Sequence, residues 1–455
     1  MSTPSHRRQS QADQSTLFEV GDPPPPEAKP SAPSQGRPRL RTANRDQIVF
    51  RAAPLDDLIP DDHPARLVWD YVEGLDLRPL YDRIKAVEGG PGRAPIDPKI
   101  LMALWLYATI DGVGSARQLD ELCRTHVAYQ WIVGDVAVNY HTLADFRCAH
   151  VAMLDDLLTK SLATLLAEGL VDLNRVAQDG MRVRASAGAA SFRRRPTLEE
   201  ALAQAQAHVE ALRREADDDP AASDRRRQAA QQRAARERVE RVQAALARLP
   251  ELEAKKKPDQ KEQARCSTTD ASATVMKMAD GGFRPAYNFQ FATDTATQFI
   301  AGVAVETTGS DMGQLEPMVD QVEGRSGKVP PEWLVDGGFA QHEQIEAVSA
   351  PEVGCTVYAP VPKPKDPKVD RHVPKPGDSA AVAAWRQRMG TEPAKAIYKE
   401  RAATAECVNA LARGRGLVCV WVRGVAKVKA IALWYALAHN LLRAAALRAA
   451  AVGQV

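Results

Sequence analysis

The sequence of 455 residues predicts an α/β core preceded by a mainly helical module and interrupted by a helical-hairpin, coiled-coil insert. Three observations carry this. Apolar residues recur at helical spacing up to about residue 170. The period then switches to strand-like alternation. A charged segment with spacings of four and three separates the first strand from the rest of the sheet.

Residues 1–46 are rich in Pro, Ser, Gln and Arg, with a proline run from Pro23 to Pro26. Too few apolar groups are present to offset ordering entropy, so a disordered tail is expected. Residues 47–170 form the helical domain. A helix is expected from Leu67 to Ile84. Asp97 and Pro98 supply an N-cap and first-turn proline opening KILMALWLYATIDG, and Ser115 to Gln118 a capping box opening QLDELCRTHVAYQWIVG. A helix from about Thr142 to Leu170 closes the unit. Short helices joined by tight turns fit a module of the helix-turn-helix sort.

The core is expected over 171–440. In VAQDGMRVRASA the residues Ala177, Asp179, Met181, Val183 and Ala185 share one strand face. The insert, 194–265, places Leu198, Leu202, Ala205, Val209, Leu212 and Ala216 on one helix. Ala235, Val239, Val242, Leu246 and Leu249 lie on a second, with Asp217 to Pro220 between them. Strands AYNFQFATD and QFIAGVAVET follow, then helix SDMGQLEPMVDQV, strand EWLVD, helix HEQIEAV and strand CTVYAPV. Such an order implies an α/β sheet. After a Pro- and Lys-rich loop from Pro362 to Asp378 come a helix from Ala394 to Arg413, a strand LVCVWVRG and a helix from Val428 to Ala450. Residues 441–455 are the end of that helix and a tail.

Lys and Arg total 60 against 58 Asp and Glu, a formal charge of +2. No global basic field announces a polyanionic partner, and any basic surface must be local. The six cysteines are scattered without a C-x-x-C pair, which argues against structural zinc and against a disulfide framework. No apolar run reads as a membrane span and the first residues lack the apolar stretch of a secretory signal, so a cytoplasmic protein without a membrane partner is expected.

Acidic residues at three places invite a chemical reading. Asp179 lies on an apolar strand face, where an unpaired charge costs on the order of several kcal/mol. Asp336 ends a buried strand and precedes Gly337 and Gly338, where open α/β sheets bind ligands. Glu406 shares a helix face with Ala402, Ala405, Asn409 and Arg413, flanked by Tyr398 and Arg401. Plainer readings stand beside these. Asp179 could pair with Arg182 or Arg184, Asp336 could start an Asx-turn, and Glu406 could belong to a solvated face with an intrahelical Glu–Arg pair.

The combination resembles a known family. VAQDGMRVRASAG, LVDGGFA and YKERAATAECVNALARGRG, in that order, look like the acidic motifs of bacterial insertion-sequence DDE transposases with a ribonuclease H-like catalytic core. Tyr398, Arg401 and Glu406 resemble that superfamily's tyrosine–arginine–glutamate–lysine motif, with Arg413 where the lysine stands, a planar fork in place of a point charge. STTDASATVMK, YNFQFATD, VRGVAKVKAIALWYALAHNL and the stretch from Val49 to His150 resemble the insertion-sequence branch numbered eleven-eighty-two. The resemblance implies cleavage at element ends and strand transfer into target DNA. Asp179, Asp336 and Glu406 would hold two Mg²⁺ or Mn²⁺ ions, and Arg401, Asn409 and Arg413 would contact phosphate. The implied partner is double-stranded DNA, as terminal inverted repeats and target, bound by a homodimer. Two other classes fit the same residues: a ribonuclease H-like nuclease without strand transfer, and a non-catalytic DNA-binding remnant.

The helical domain then reads either as a terminal-repeat binder or as a bundle that only packs on the core. The insert, with Arg193 to Arg195, Arg225 to Arg227, Arg233, Arg236 and Arg238, reads as a DNA clamp, a dimer contact or a solvated hairpin. Its position before the second acid differs from better-known relatives. Asp294 reads as a turn cap, and Asp270 and Asp311 as further acids near the core. His141 and His439 are expected as hydrogen-bonded structural residues, and Trp333 and Trp421 as core.

Overall fold

The structure, a computed structural model, describes residues 53–86, 94–218 and 225–452, so the Pro-rich tail at 1–46 lies outside it. The chain opens with helices α1 (Pro64–Glu73), α2 (Arg78–Tyr81), α3 (Pro98–Ile110), α4 (Ala116–Thr125), α5 (Val127–Val133), α6 (Tyr140–Ala149) and α7 (Val151–Ala167). Capping fixes several starts. The Asp97 carboxylate accepts from the Lys99 N–H at 2.8 Å and the Ser115 hydroxyl from Gln118 at 3.4 Å. Each satisfies a first-turn donor.

Helices expected as single pieces are broken by histidines. His126, in extended backbone, accepts from the Ala128 N–H at 3.3 Å and so starts α5 immediately after α4. His150, at φ −122° and ψ 40°, separates α6 from α7. The helix expected to reach Ile84 stops at Glu73, and α2 is a single turn.

The sheet begins with β1 (Arg175–Arg184). β2 (Phe192–Arg193) leads into the hairpin α8 (Arg195–Asp218) and α9 (Arg225–Ala254), and β3 (Cys266–Ser267) leads out of it. β2 and β3 pair at the hairpin's root, Arg193 opposite Cys266. There follow β4 (Thr274–Lys277), β5 (Phe283–Asp294), β6 (Ile300–Glu306), α10 (Leu315–Ser326), β7 (Glu332–Leu334), α11 (His342–Val348) and β8 (Thr356–Tyr358). The end of the chain holds α12 (Ala380–Met389), α13 (Glu392–Arg401), a π-helical turn over Ala402–Glu406, α14 (Cys407–Gly414) and α15 (Val425–Val452).

The strand path is β4-β5-β1-β7-β8, with β6 also paired to β5. β1 runs antiparallel to β5 and parallel to β7, and β7 parallel to β8. Thus β1 is central, with an antiparallel side and a parallel side.

Parts of the chain's end depart from expectation. LVCVWVRG is not a strand: Arg184 donates to the Val418 carbonyl at 3.1 Å and accepts from the Val420 N–H at 2.8 Å, a single bridge to the end of β1. Trp421 is consequently not core but 66% exposed, whereas Trp333 is fully buried. α12 was not expected; it is alanine-rich, with little apolar period to betray it, and starts at a Ser379 cap.

α15 is long and apolar enough to cross a membrane by length and composition, against the expectation from the sequence, yet two-thirds of that stretch is buried within the fold. Its buried polar residues find their partners inside the fold. Asn440 accepts from the Ile300 N–H and donates to the Ile300 carbonyl, both at 2.8 Å, as a neighbouring strand would. His439 meets the Gln298 carbonyl at 2.8 Å, and burial pushes its imidazole down to about 4. His141, by contrast, is exposed and lies against the Tyr140 ring. One apolar cluster joins α1 to α7 with Met181, Phe289 and much of α15; a second gathers around β7, β8, α10 and α12.

Candidate active site

Register places the first two acids. In the parallel ladder of β1 and β7, Arg175 pairs with Glu332, Val176 with Trp333 and Ala177 with Leu334, where β7 ends. Two further steps on each strand reach Asp179 and Asp336, so both carboxylates stand at the mouth where neighbouring strands, about 4.8 Å apart, part company. Beyond Ala177 β1 keeps only its β5 neighbour and its β7 side is open, as a ligand site at strand ends requires.

Asp179 is largely buried, its side chain 17% exposed. One carboxylate oxygen accepts from the Gly180 N–H at 2.9 Å and the other from Asn409 Nδ2 at 3.0 Å. Burial pushes its carboxyl up to about 6; the Arg401 guanidinium opposes the shift and the Asp336 charge adds to it. Asp336 accepts from the Gly338 N–H at 2.8 Å, an Asx-type turn. The turn reading and the site reading of Asp336 are therefore compatible, because the bond uses one oxygen.

Arg401 links the third acid. Its Nη2 donates to Glu406 Oε1 at 2.6 Å, and its Nη1 lies 3.5 Å from Asp179 Oδ1. Tyr398 places its ring 5.9 Å beneath the guanidinium carbon. Glu406 itself is half exposed. Asp179 pairs with neither Arg182 nor Arg184, since Arg182 is engaged by Asp311 at 2.8 Å.

The helix face expected to unite Ala402, Ala405, Glu406, Asn409 and Arg413 does not exist as drawn. The π turn at Ala402–Glu406 adds a residue to that turn and changes the phase. Thr404, Ala405, Val408, Asn409 and Ala412 point inward, while Ala402, Glu406 and Arg413 are exposed. Arg413 therefore leaves the acids and instead lines a groove of about 680 Å³ with Gly180, Arg182, Arg184, Lys277 and Arg284. Among the described residues Arg184, Lys277 and Arg413 form no ion pair.

Beneath β1 lies a polar network not anticipated from the sequence. Buried Asp311 accepts from Asn288 Nδ2 and Gln290 Nε2, each at 2.7 Å, and from Arg182 at 2.8 Å. A Cβ on Gly180 would fall 2.2 Å from Asp311 Oδ1, so only glycine admits this network beside Asp179. The signal was present in YNFQFATD, where Asn288 and Gln290 alternate with aromatic residues. Asp294, as expected, caps a turn, accepting from the Thr297 N–H at 2.9 Å.

Among the described residues no group of three or more His, Cys, Asp and Glu side chains is drawn close enough to hold a metal ion. The donors nevertheless suit a hard divalent cation. Asp179 and Asp336 are carboxylates whose charges oppose one another, and carboxylate oxygen is the ligand type Mg²⁺ and Mn²⁺ favour. Arg401 Nη1 and Asn409 Oδ1 are buried without a protein hydrogen-bond partner, polar capacity left over for a ligand at the same place.

Residues 53–149 match a family model described as Transposase domain (DUF772). The match covers α1 to α6, about a fifth of the chain, and supports a transposase-related function. No curated protein and no solved structure matches the chain.

Proposed function

We propose that this chain is a DDE-type transposase of the insertion-sequence kind, with a ribonuclease H-like core that cleaves element ends and joins them to target DNA. The observation that carries the proposal is the convergence, about β1, of Asp179, Asp336 and the Arg401–Glu406 pair, from three distant segments. The central β1, antiparallel on one side and parallel on the other, supports the ribonuclease H-like reading. The transposase-domain match upstream supports the substrate.

Asp179 and Asp336 would hold the divalent cations, with Glu406 completing the set once it leaves Arg401. Two such ions supply Lewis-acid stabilisation to the attacking and leaving oxygens of a phosphodiester. The chain's own residues do the positioning. The Gly180 N–H and Asn409 amide hold the Asp179 carboxylate by both oxygens, and the Gly338 N–H orients Asp336. Arg401, released from Glu406, presents two donors to a phosphate in the planar fork suited to it. Arg413 stands farther along the groove, with Arg184 and Lys277, where phosphates flanking the reacting one would pass.

The test is a strand-transfer assay with pre-cut element ends and Mg²⁺. The wild-type chain is expected to give joined product. Asp179→Asn, Asp336→Asn and Glu406→Gln should each lose several kcal/mol of charge stabilisation, about 100-fold or more in rate. Hydrolysis without joined product would favour a nuclease, and undiminished variants would refute the site.

A further inference from the structure

The insert is fastened to the core rather than hung from it. β2 pairs with β3 at its root, Arg195 closes the base of the hairpin on Glu253 at 2.8 Å, and Arg248 ties α9 to the core by donating to the Thr307 hydroxyl at 2.7 Å. Between this hairpin and the core lies a groove of about 580 Å³. Arginines enter it from three separate places: Arg193 from β2, Arg238 and Arg241 from α9, and Arg423 from the loop before α15.

The loop that brings Arg423 is held in place. Asp270, only 2% exposed, accepts from the Gly424 N–H at 3.1 Å and from the Tyr287 hydroxyl at 2.7 Å. Gly424 sits at φ +88°, a conformation that a side chain would strain. A buried carboxylate and a left-handed glycine thus fix one wall, and the fastened hairpin fixes the other.

We propose that this groove binds a stretch of DNA phosphate backbone, making the insert a DNA-binding arm of the enzyme. Charge is the first reason. Four arginines face one carboxylate, Glu200, and among the described residues Arg193, Arg238 and Arg423 have no ion-pair partner. A merely solvated hairpin pairs its charges along the helix, as Arg241 does with Glu237 at 3.6 Å. A contact in which two copies of the chain met through this groove would set arginine against arginine, a costly like-charge juxtaposition. The neutral lining is the second reason, because the Thr269 hydroxyl and the second hydrogen of the Gln204 amide, whose first goes to Glu200 at 3.2 Å, are donors of the kind that contact phosphate.

The inference rests on DNA being the substrate, and its test keeps the two apart. Binding of the full chain to a fluorescent DNA duplex is measured by anisotropy across a salt series without divalent metal, beside the strand-transfer assay above. Each phosphate contact contributes a slope of about −0.9 to log affinity against log salt. Arg238→Ala with Arg423→Ala should therefore flatten the slope by about 2, with an unchanged circular dichroism spectrum and melting temperature. The pair Arg233→Ala with Arg236→Ala, on the same helix but outside the groove, should leave it unchanged. Equal slopes in the groove variant and the wild type would overturn the inference while leaving the catalytic proposal intact. So would equal losses in both pairs, which would mean diffuse attraction. A wild-type chain that neither binds nor joins DNA would overturn both.

Discussion

Asp179 combines features that pull in opposite directions. It is held by Gly180 and Asn409 as a carboxylate should be, yet burial and the neighbouring Asp336 raise its pKa from the usual 3.8 to about 6 despite Arg401. The folded state thus favours the protonated form. Stability from this group is fully present below pH 3.8 and is lost as pH rises through 6. The gap is worth on the order of 3 kcal/mol at about 1.4 kcal/mol per pH unit. Asp179→Asn, neutral and of the same shape, should therefore melt higher than wild type above pH 6 in metal-free buffer and equal it near pH 4, while losing cleavage. A thermal melt series from pH 4 to 8 with chelator reads the crossover, and a variant less stable at pH 8 would contradict the assignment. A residue that costs stability where the chain must work is a residue kept for its charge.

The π turn at Ala402–Glu406 determines which side chains of the late helix reach the sheet. It lets Arg401 span Asp179 and Glu406 and turns Asn409 inward onto Asp179. Deleting Ala403 should restore a regular helix and rotate everything beyond it by about 100°. Asn409 would leave Asp179, and cleavage should fall by about 100-fold while the far-UV spectrum stays native. Wild-type activity in that deletion would show the bulge to be dispensable.

The same turn marks the limit of what sequence alone conveys. The strand positions of Asp179 and Asp336, the hairpin and most strands were legible because period, glycine and cap signals are local. The breaks at His126 and His150 were not, since each depends on one residue's backbone angle inside an unbroken apolar pattern. The π turn leaves no periodic trace in five residues. The exposure of Trp421 depends on Arg184, more than two hundred residues away in sequence, closing only a single bridge.

At the scale of the molecule, the helices that match a transposase domain and the sheet that carries the acids are joined through α15. Trp434 is 2% exposed, donates to the Arg147 carbonyl of α6 at 2.9 Å, and belongs to the apolar cluster that also holds Met181 of β1. Phe146, its neighbour at 6.4 Å, lies inside the matched segment. A module that only bound DNA from a linker would need no such shared interior, and its unfolding would be separate from that of the core. The packing argues for coupling. Trp434→Ala should cost about 3–5 kcal/mol and shift one common urea transition, whether followed by far-UV dichroism or, in a background where Trp333, Trp385 and Trp421 are replaced by Phe, by the fluorescence of Trp69, Trp105 and Trp131 in the helical part. If that fluorescence instead held its wild-type midpoint while dichroism moved, the helical module would be an independent unit. Coupling would also have a functional consequence: DNA docking on the helices would be felt through α15 at the sheet, so the same variant should weaken end cleavage even where the Asp179 site is unaltered.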